Sequence, residues 1–345
     1  MKSETLRDTA GAGRTLVVAE IGQGHDGSVG ILHSMVDVAA ACRVDAVKFQ
    51  VHIADAESSP MEPFRVRFSP VDATRFDYWK RMELPEHEWR RLKERCDTLG
   101  VEFLATPFSN AAVDLLERVG IRRYKVGSGD IANPLLLQRL VATGKEVILS
   151  TGLGTIEDID RAVELFSRHS VPIAVLQCTT RYPTVADDVG LPWIGRLRER
   201  YGCPVGLSDH SGKIYAGLAA AALGAALVEV HVTFDRRMFG PDSRASLTFD
   251  ELAHLVEGVR FIEAARRDTV EKVMTEETEN LRRMFGKALA VNREMVAGET
   301  LSTSDLEGKK PADGGIAVGE LEHVLGRCLN RSKRKWEFLR KEDLE

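Results

Sequence analysis

At 345 residues the chain is long enough for one large α/β domain with a small companion, or for two ordinary domains. A formal charge of −5, with no basic cluster outside Arg331 to Lys335, argues against nucleic acid as a partner. Five scattered cysteines (Cys42, Cys96, Cys178, Cys203 and Cys328) form no C-x-x-C pair, which speaks for reduced thiols in a cytoplasm rather than a disulfide framework.

In chain order, Met1 to Arg14 is polar and lacks the apolar run of a signal peptide. Short apolar runs then alternate with amphipathic stretches. The runs predict strands at Leu16–Gly22, Ala46–Val51, Glu102–Phe108, Arg123–Gly129, Glu146–Gly152, Pro172–Thr179, Cys203–Ser208 and Leu227–Thr233. Between them the spacing predicts helices over Ser28–Arg43, Pro85–Leu99, Ala111–Val119, Pro134–Thr143, Ile156–His169, Leu191–Tyr201 and Ser211–Leu223. Eight strands alternating with helices over roughly 250 residues is the pattern of a TIM (β/α)8 barrel; a doubly wound sheet shows the same alternation with fewer strands. Residues 53–80 break the rhythm with prolines and aromatics and read as a rim or lid excursion. The longest apolar stretch, Ala216 to Val228, is Ala/Gly-rich and too short to span a bilayer, so neither a membrane partner nor a location outside the cytoplasm is expected.

In the eighth strand Val228, Val230 and Val232 alternate with Glu229, His231 and Thr233, so one face buries a carboxylate and an imidazole together. Phe249 to Arg267 carries one apolar stripe and closes the barrel domain, 1–267. Residues 268–284 are highly charged and read as a partly helical linker, and 285–345 as short strands broken by glycine turns. That last module, about sixty residues, is near the lower limit of independent stability.

Active sites of parallel barrels are built from the C-terminal strand ends and the loops after them. Here every such end is polar, while the strand starts mostly are not. Lys48 and Lys125, with Ser128, Ser150, Ser208 and nearby glycines, suit a multiply charged anion such as phosphate. His210 and His231, on neighbouring tips, suit a shared divalent cation; with two protein nitrogens and otherwise oxygen ligands, Mn²⁺ is favoured over structural Zn²⁺. Glu20, Glu229, Asp242 and Tyr182 supply proton carriers and hydroxyl-binding groups. His25 reads as a residue that orients a glycine-rich loop. His33, His52, His87, His169, His254 and His323 read as surface residues. The stretch Gly152 to Glu157 mimics a dinucleotide fingerprint but has Glu where the third glycine belongs.

Ala19-Glu20-Ile21-Gly22, His25-Asp26-Gly27, Lys48-Phe49-Gln50, Lys125 to Asp130, Leu149-Ser150-Thr151-Gly152, Gln177-Cys178-Thr179, Tyr182-Pro183-Thr184, Gly206 to His210 and Gly240-Pro241-Asp242, in this order, resemble the sialic acid synthase family. The resemblance runs from about Thr15 to Lys341, and its last part is similar to the SAF, or antifreeze-like, domain. It implies a transferase that joins phosphoenolpyruvate to an N-acylated hexosamine such as N-acetylmannosamine. It further implies that Lys48, Thr106, Lys125, Ser128, Ser150 and Ser208 hold phosphoenolpyruvate, with Thr180 in place of the family's Asn or Ser at the carboxylate. His210 and His231 would hold Mn²⁺ or Mg²⁺, Glu20 would handle the proton or attacking water, and Gln50, Tyr182, Glu229 and Asp242 would contact the sugar. The family's Arg that reaches a partner's site from the SAF module is Lys310 here, and a domain-swapped homodimer is implied. Gly24, Val230 and Ser243 also depart from the family pattern, so the acceptor, whether of sialic, legionaminic or pseudaminic type, stays open. A metal-dependent sugar isomerase or aldolase would leave the lysines and the last module without a role. A non-catalytic carbohydrate-binding protein would not need a polar barrel mouth.

Overall fold

Strand β1 (Leu16–Gly22) lies between β2 (Ala46–Val51) and β8 (Leu227–Thr233), and that double pairing closes the sheet. The computed structural model describes residues 5–64, 66–267 and 271–345. Residues 1–4 of the first predicted domain, Arg65 of the excursion and the first three linker residues lie outside these. β3 (Glu102–Pro107), β4 (Tyr124–Val126), β5 (Val147–Ser150), β6 (Ile173–Cys178) and β7 (Val205–Asp209) complete an eight-stranded parallel barrel in chain order. This is the TIM barrel expected from the sequence. A two-residue strand, β9 (Leu247–Thr248), pairs with β8.

Strand parity explains both cores. Val17, Ala19 and Ile21 of β1 and Val228, Val230 and Val232 of β8 pack in the large cluster shared with the surrounding helices. A separate cluster combines Val18, Ala46, Leu104, Ile148, Ala174, Leu176 and Leu227. Two residues further along the same strands, on the same face, stand Glu20, Lys48, Thr106, Ser150, Cys178 and Glu229, all buried. An apolar layer thus underlies a polar one, and the change occurs toward the C-terminal strand ends. Leu6 joins the apolar layer from a short helix, Leu6–Gly11, capped by Thr5 and Asp8. One apolar side chain in a polar segment carries no periodicity, so this helix was not visible in the sequence.

The excursion after β2 contains two helices, Ala54–Glu57 and Arg75–Met82, where the sequence offered only a rim. Ala54, Tyr78, Trp79 and Met82 form a small core of their own, joined by Phe64, Phe68 and Phe76. Aromatic packing holds it, and aromatics give a weaker helical pattern than aliphatics.

The chain divides into two units, Met1–Arg267 and Asp268–Glu345. In the second, helix Glu276–Phe285 buries no side chain. β10 (Ala288–Val291) and β11 (Leu306–Lys309) pair antiparallel over a core of Leu289, Val291, Met295, Leu301, Ile316, Val324, Leu329, Leu339 and Leu344. Lys333 is buried there and meets Asp343 at 2.6 Å and the Phe338 carbonyl at 2.9 Å, which offsets its desolvation. Among the described residues no helix is long and apolar enough to cross a membrane.

Candidate active site

The polar layer opens into a cavity of about 420 Å³ at the C-terminal strand ends. Register sets its floor: Glu20 of β1 pairs with Lys48 of β2, and Ser208 of β7 with Glu229 of β8. Lys48 Nζ lies 2.7 Å from Glu20 Oε2, 3.2 Å from Thr106 Oγ1 and 3.6 Å from Glu229 Oε1. Lys125 Nζ donates to both Glu229 oxygens at 3.0 and 3.1 Å, and Ser208 Oγ donates to Glu229 Oε1 at 3.2 Å. Burial works against the charge on Lys48, but Glu20 and Glu229 outweigh it and hold the ammonium above its usual range. Burial likewise opposes the Glu229 carboxylate, and Lys125 and Lys48 overcome it, so Glu229 stays ionised. Among the described residues Lys125 bonds only to Glu229, and an ammonium has three N–H groups to place.

Beside this floor is a wall of hydroxyls. Ser128 Oγ accepts from the Gly152 backbone N–H at 3.0 Å. A Cβ on Gly152 would meet Thr180 Oγ1 at 2.3 Å and Cys178 Sγ at 2.9 Å, so glycine keeps the wall open. Thr180 Oγ1 is shielded from solvent and has no hydrogen-bond partner among the described residues, although its residue lines the cavity. An orphan hydroxyl in such a place costs about 1–3 kcal/mol unless a ligand completes it.

The two strand-tip histidines come together. Their ring centroids are 5.3 Å apart. His210 Nδ1 lies 3.1 Å from the Thr179 carbonyl, which fixes the proton on that nitrogen and leaves Nε2 toward the Tyr182 hydroxyl at 3.0 Å. His231 Nδ1 stands 3.9 Å from Asp242 Oδ2. Burial holds His231 below the ordinary histidine range against the pull of Asp242 and Glu20; His210 is also penalised by burial but is raised by Cys178 and the Thr179 carbonyl. Among the described residues no cluster of three or more His, Cys, Asp or Glu forms a metal cage. Two converging imidazoles, one oriented by a carbonyl, fit an open cation site that takes its remaining ligands from substrate and water.

All fourteen barrel residues singled out from the sequence line this one cavity: Glu20, Lys48, Gln50, Thr106, Lys125, Ser128, Ser150, Thr180, Tyr182, Ser208, His210, Glu229, His231 and Asp242. Glu229 stands at the floor between the lysines. Lys310 belongs to the second unit, where its Nζ lies 5.5 Å from the centre of the Phe285 ring. His25 is buried, accepts from the Gly27 N–H at 3.2 Å and is not one of the cavity walls, in keeping with an orienting role.

One expectation is corrected. His52 is not a surface residue: it is 4% exposed and lines the cavity. Its ring is stacked between Trp79 at 3.9 Å and Phe108 at 4.6 Å, with Glu57 at 2.7 Å. The signal was the parity of β2, since Lys48, Gln50 and His52 alternate onto one face. The sequence marked the excursion as a rim or lid but singled out none of its residues for the wall, where Arg75 pairs with Glu62 at 2.8 Å and Trp79 Nε1 donates to Glu62 at 2.9 Å. Asp130 lines the same side, raised by burial first and by Glu57, with an opposing bond from Asn133.

Comparison with known proteins places this geometry. The family model described as "NeuB family" matches residues 35–271. The chain is 31% identical to the N,N'-diacetyllegionaminic acid synthase of Campylobacter jejuni over 95% of this chain and 99% of that protein. It is 29% identical to a pseudaminic acid synthase of the same species, over 96% of this chain and 97% of that one. The crystal structure of the N-acetylneuraminic acid (sialic acid) synthetase of Leptospira borgpetersenii superposes with a TM-score of 0.68 at 30% identity, covering 78% of this chain and 90% of that one. The chain belongs to the NeuB family, the sialic acid synthase family.

Proposed function

We propose that this protein condenses phosphoenolpyruvate with the open-chain form of an N-acyl hexosamine and water, releasing inorganic phosphate and a nine-carbon 2-keto-3-deoxy acid. The observation that carries this reading is the floor of Lys48 and Lys125 with a hydroxyl wall, set beside two converging imidazoles in one cavity. The third N–H of Lys125, the hydroxyls of Ser128 and Ser150, and the orphan Thr180 Oγ1 supply donors for a phosphate and a carboxylate, with Ser208 beside them.

In the reaction, C3 of the enolpyruvate bonds to the aldehyde carbon, and the two protons of the added water end on the aldehyde oxygen and on the departing phosphate. Water adds to C2, and phosphate leaves with the bridging oxygen. Lys48 and Lys125 stabilise the charge gathered on the phosphoenolpyruvate end. Glu20, a carboxylate held between Lys48 and the Gln50 amide, accepts the proton of the attacking water. A divalent cation, Mn²⁺ or Mg²⁺, held by His210 and His231 supplies Lewis-acid polarisation of the aldehyde oxygen when bound. Tyr182 and Asp242, beside the imidazoles, are placed to hold sugar hydroxyls.

The far side of the cavity favours an uncharged acceptor tail. Glu57, Glu62 and Asp130 line it, and the cations there are already paired, Arg75 with Glu62 and the His52 ring with Glu57. Such a wall repels a phosphorylated sugar and accepts hydroxyls and amides. N-acetylmannosamine and the diacetamido sugars behind legionaminic- and pseudaminic-type acids all meet that condition.

The test is phosphate release from phosphoenolpyruvate with Mn²⁺ and a panel of N-acyl hexosamines, with the product mass read in parallel. Release that requires both phosphoenolpyruvate and an N-acyl hexosamine supports the reading. Isomerised or cleaved sugar without phosphate release would replace it with an isomerase or aldolase.

A further inference from the structure

We propose that His52, as an imidazolium paired with Glu57, is a positioning residue that locks the Gln50 amide and, through it, the Glu20 carboxylate. The inference rests on the reading of Glu20 as the group that handles the proton.

The protons follow from what each atom can do. Glu20 Oε2 meets the Lys48 ammonium at 2.7 Å, so Glu20 is a carboxylate and only accepts. The Gln50 atom 2.8 Å from Glu20 Oε1 is therefore its NH₂ group, and the Gln50 carbonyl oxygen points the other way. That oxygen accepts from Gln23 Nε2 at 3.0 Å, and the Tyr78 hydroxyl donates to Gln23 Oε1 at 3.1 Å. His52 Nε2 lies 3.2 Å from the same Gln50 oxygen and must carry a hydrogen to bond it. His52 Nδ1 lies 2.7 Å from Glu57 Oε1, a second atom that only accepts, and must carry one too. Both ring nitrogens then donate, which is the imidazolium. A neutral ring would set a lone pair against an oxygen on one side or the other.

The surroundings suit that charge. Trp79 and Phe108 face the two sides of the ring at interplanar angles of 19° and 10°, so the ring cannot swing out. Glu57 supplies the counter-charge, and its Oε2 is also 3.4 Å from the Ile53 N–H. His25, which feels the His52 charge, is kept neutral by burial and by His52 and Arg81. Asp130, on the same side of the cavity, is the other carboxyl that feels Glu57. Glu57 and Trp79 belong to the excursion, so this chain of bonds couples the excursion to the carboxylate at the reacting centre. Without the His52 Nε2–H the Gln50 oxygen keeps only Gln23 Nε2, so the amide loosens and the Glu20 carboxylate to which it donates shifts.

His52→Phe keeps the stacked ring and removes both donors, and Glu57→Gln keeps an acceptor but removes the counter-charge. Each is expected to lower kcat for phosphate release by about 100-fold, the scale of a misplaced catalytic group, with KM for phosphoenolpyruvate within about twofold because the lysine and serine contacts are untouched. In a Gln50→Ala background His52→Phe should add no further loss. An unchanged kcat, a rise in KM alone, or fully additive losses would overturn the proposal. Nitrogen-15 NMR of the ring decides independently of activity: at pH 7.5 His52 should carry two ring protons in the wild type and one in Glu57→Gln. A singly protonated wild-type ring sinks the inference even in an active enzyme. An inactive wild type with a doubly protonated ring would count against the functional reading while supporting the inferred proton arrangement.

Discussion

Glu229 is one carboxylate shared by two ammonium groups, and Glu20 is its counterpart on the other side of Lys48. Charges this deep are tolerated only as a set. The functional members can nevertheless be removed isosterically or at the cavity edge. Glu20→Gln keeps the Lys48 contact as a neutral bond and is expected to lower turnover by 10²-fold or more, on the order of a lost general base. His231→Ala is expected to abolish turnover, with circular dichroism unchanged in both variants; wild-type rates in either would contradict the assigned roles. His25 makes a separate prediction about pH. Burial first, then His52 and Arg81, push it from 6.5 down to about 4, and its Nδ1 must be bare to accept the Gly27 N–H. A depressed folded-state value means that the neutral ring stabilises the fold fully above pH 6.5 and that this is lost as pH falls toward 4. The amount is on the order of 3 kcal/mol. Thermal melts from pH 7 to pH 4 should show a decline that His25→Gln makes shallower; parallel curves would contradict this.

At the scale of the element, β5 and the turn after it decide whether the hydroxyl wall can form. Gly152→Ala places a Cβ against Thr180 Oγ1, Cys178 Sγ and Ser128 Oγ. Phosphoenolpyruvate KM is expected to rise about tenfold or more through loss of ground-state binding, with acceptor KM little changed, and initial-rate kinetics in both substrates check this. Strand parity made much of this legible beforehand. Lys48 and Gln50, or Glu229 and His231, face inward because a strand alternates, and each partner was readable from its own segment. His52 was not, because the strand ends at Val51, while the same alternation carries one residue further. Nor was the pairing of Lys125 with Glu229 legible. It joins β4 to β8 across the barrel interior, and no local pattern encodes a contact over 104 residues. The excursion stayed opaque because its helices are held by Tyr78, Trp79 and Phe64 rather than by an aliphatic stripe.

At the scale of the molecule, eight strand ends separated by helices bring their polar residues to one mouth by closure alone, which is why the fold and the cavity were readable together. The second unit is different. Its glycine turns and short strands announce a small module, and pairing between two copies is something no single sequence states. We propose that it is a SAF-type module whose Lys310 enters the cavity of a second copy in a homodimer. Sedimentation equilibrium should then give twice the chain mass. Lys310→Ala should raise acceptor KM and leave phosphoenolpyruvate KM unchanged; a monomer, or equal effects on both substrates, would contradict it.

The central claim is that one cavity grips an enol phosphate beside a cation. The most direct measurement is a crystal structure of the protein soaked with phosphoenolpyruvate and Mn²⁺. The account predicts phosphate oxygens within hydrogen-bond distance of Lys125 Nζ and the Ser128 and Ser150 hydroxyls, and one ion bonded to both His210 and His231. Phosphoenolpyruvate bound elsewhere, or an ion that touches neither imidazole, would contradict it.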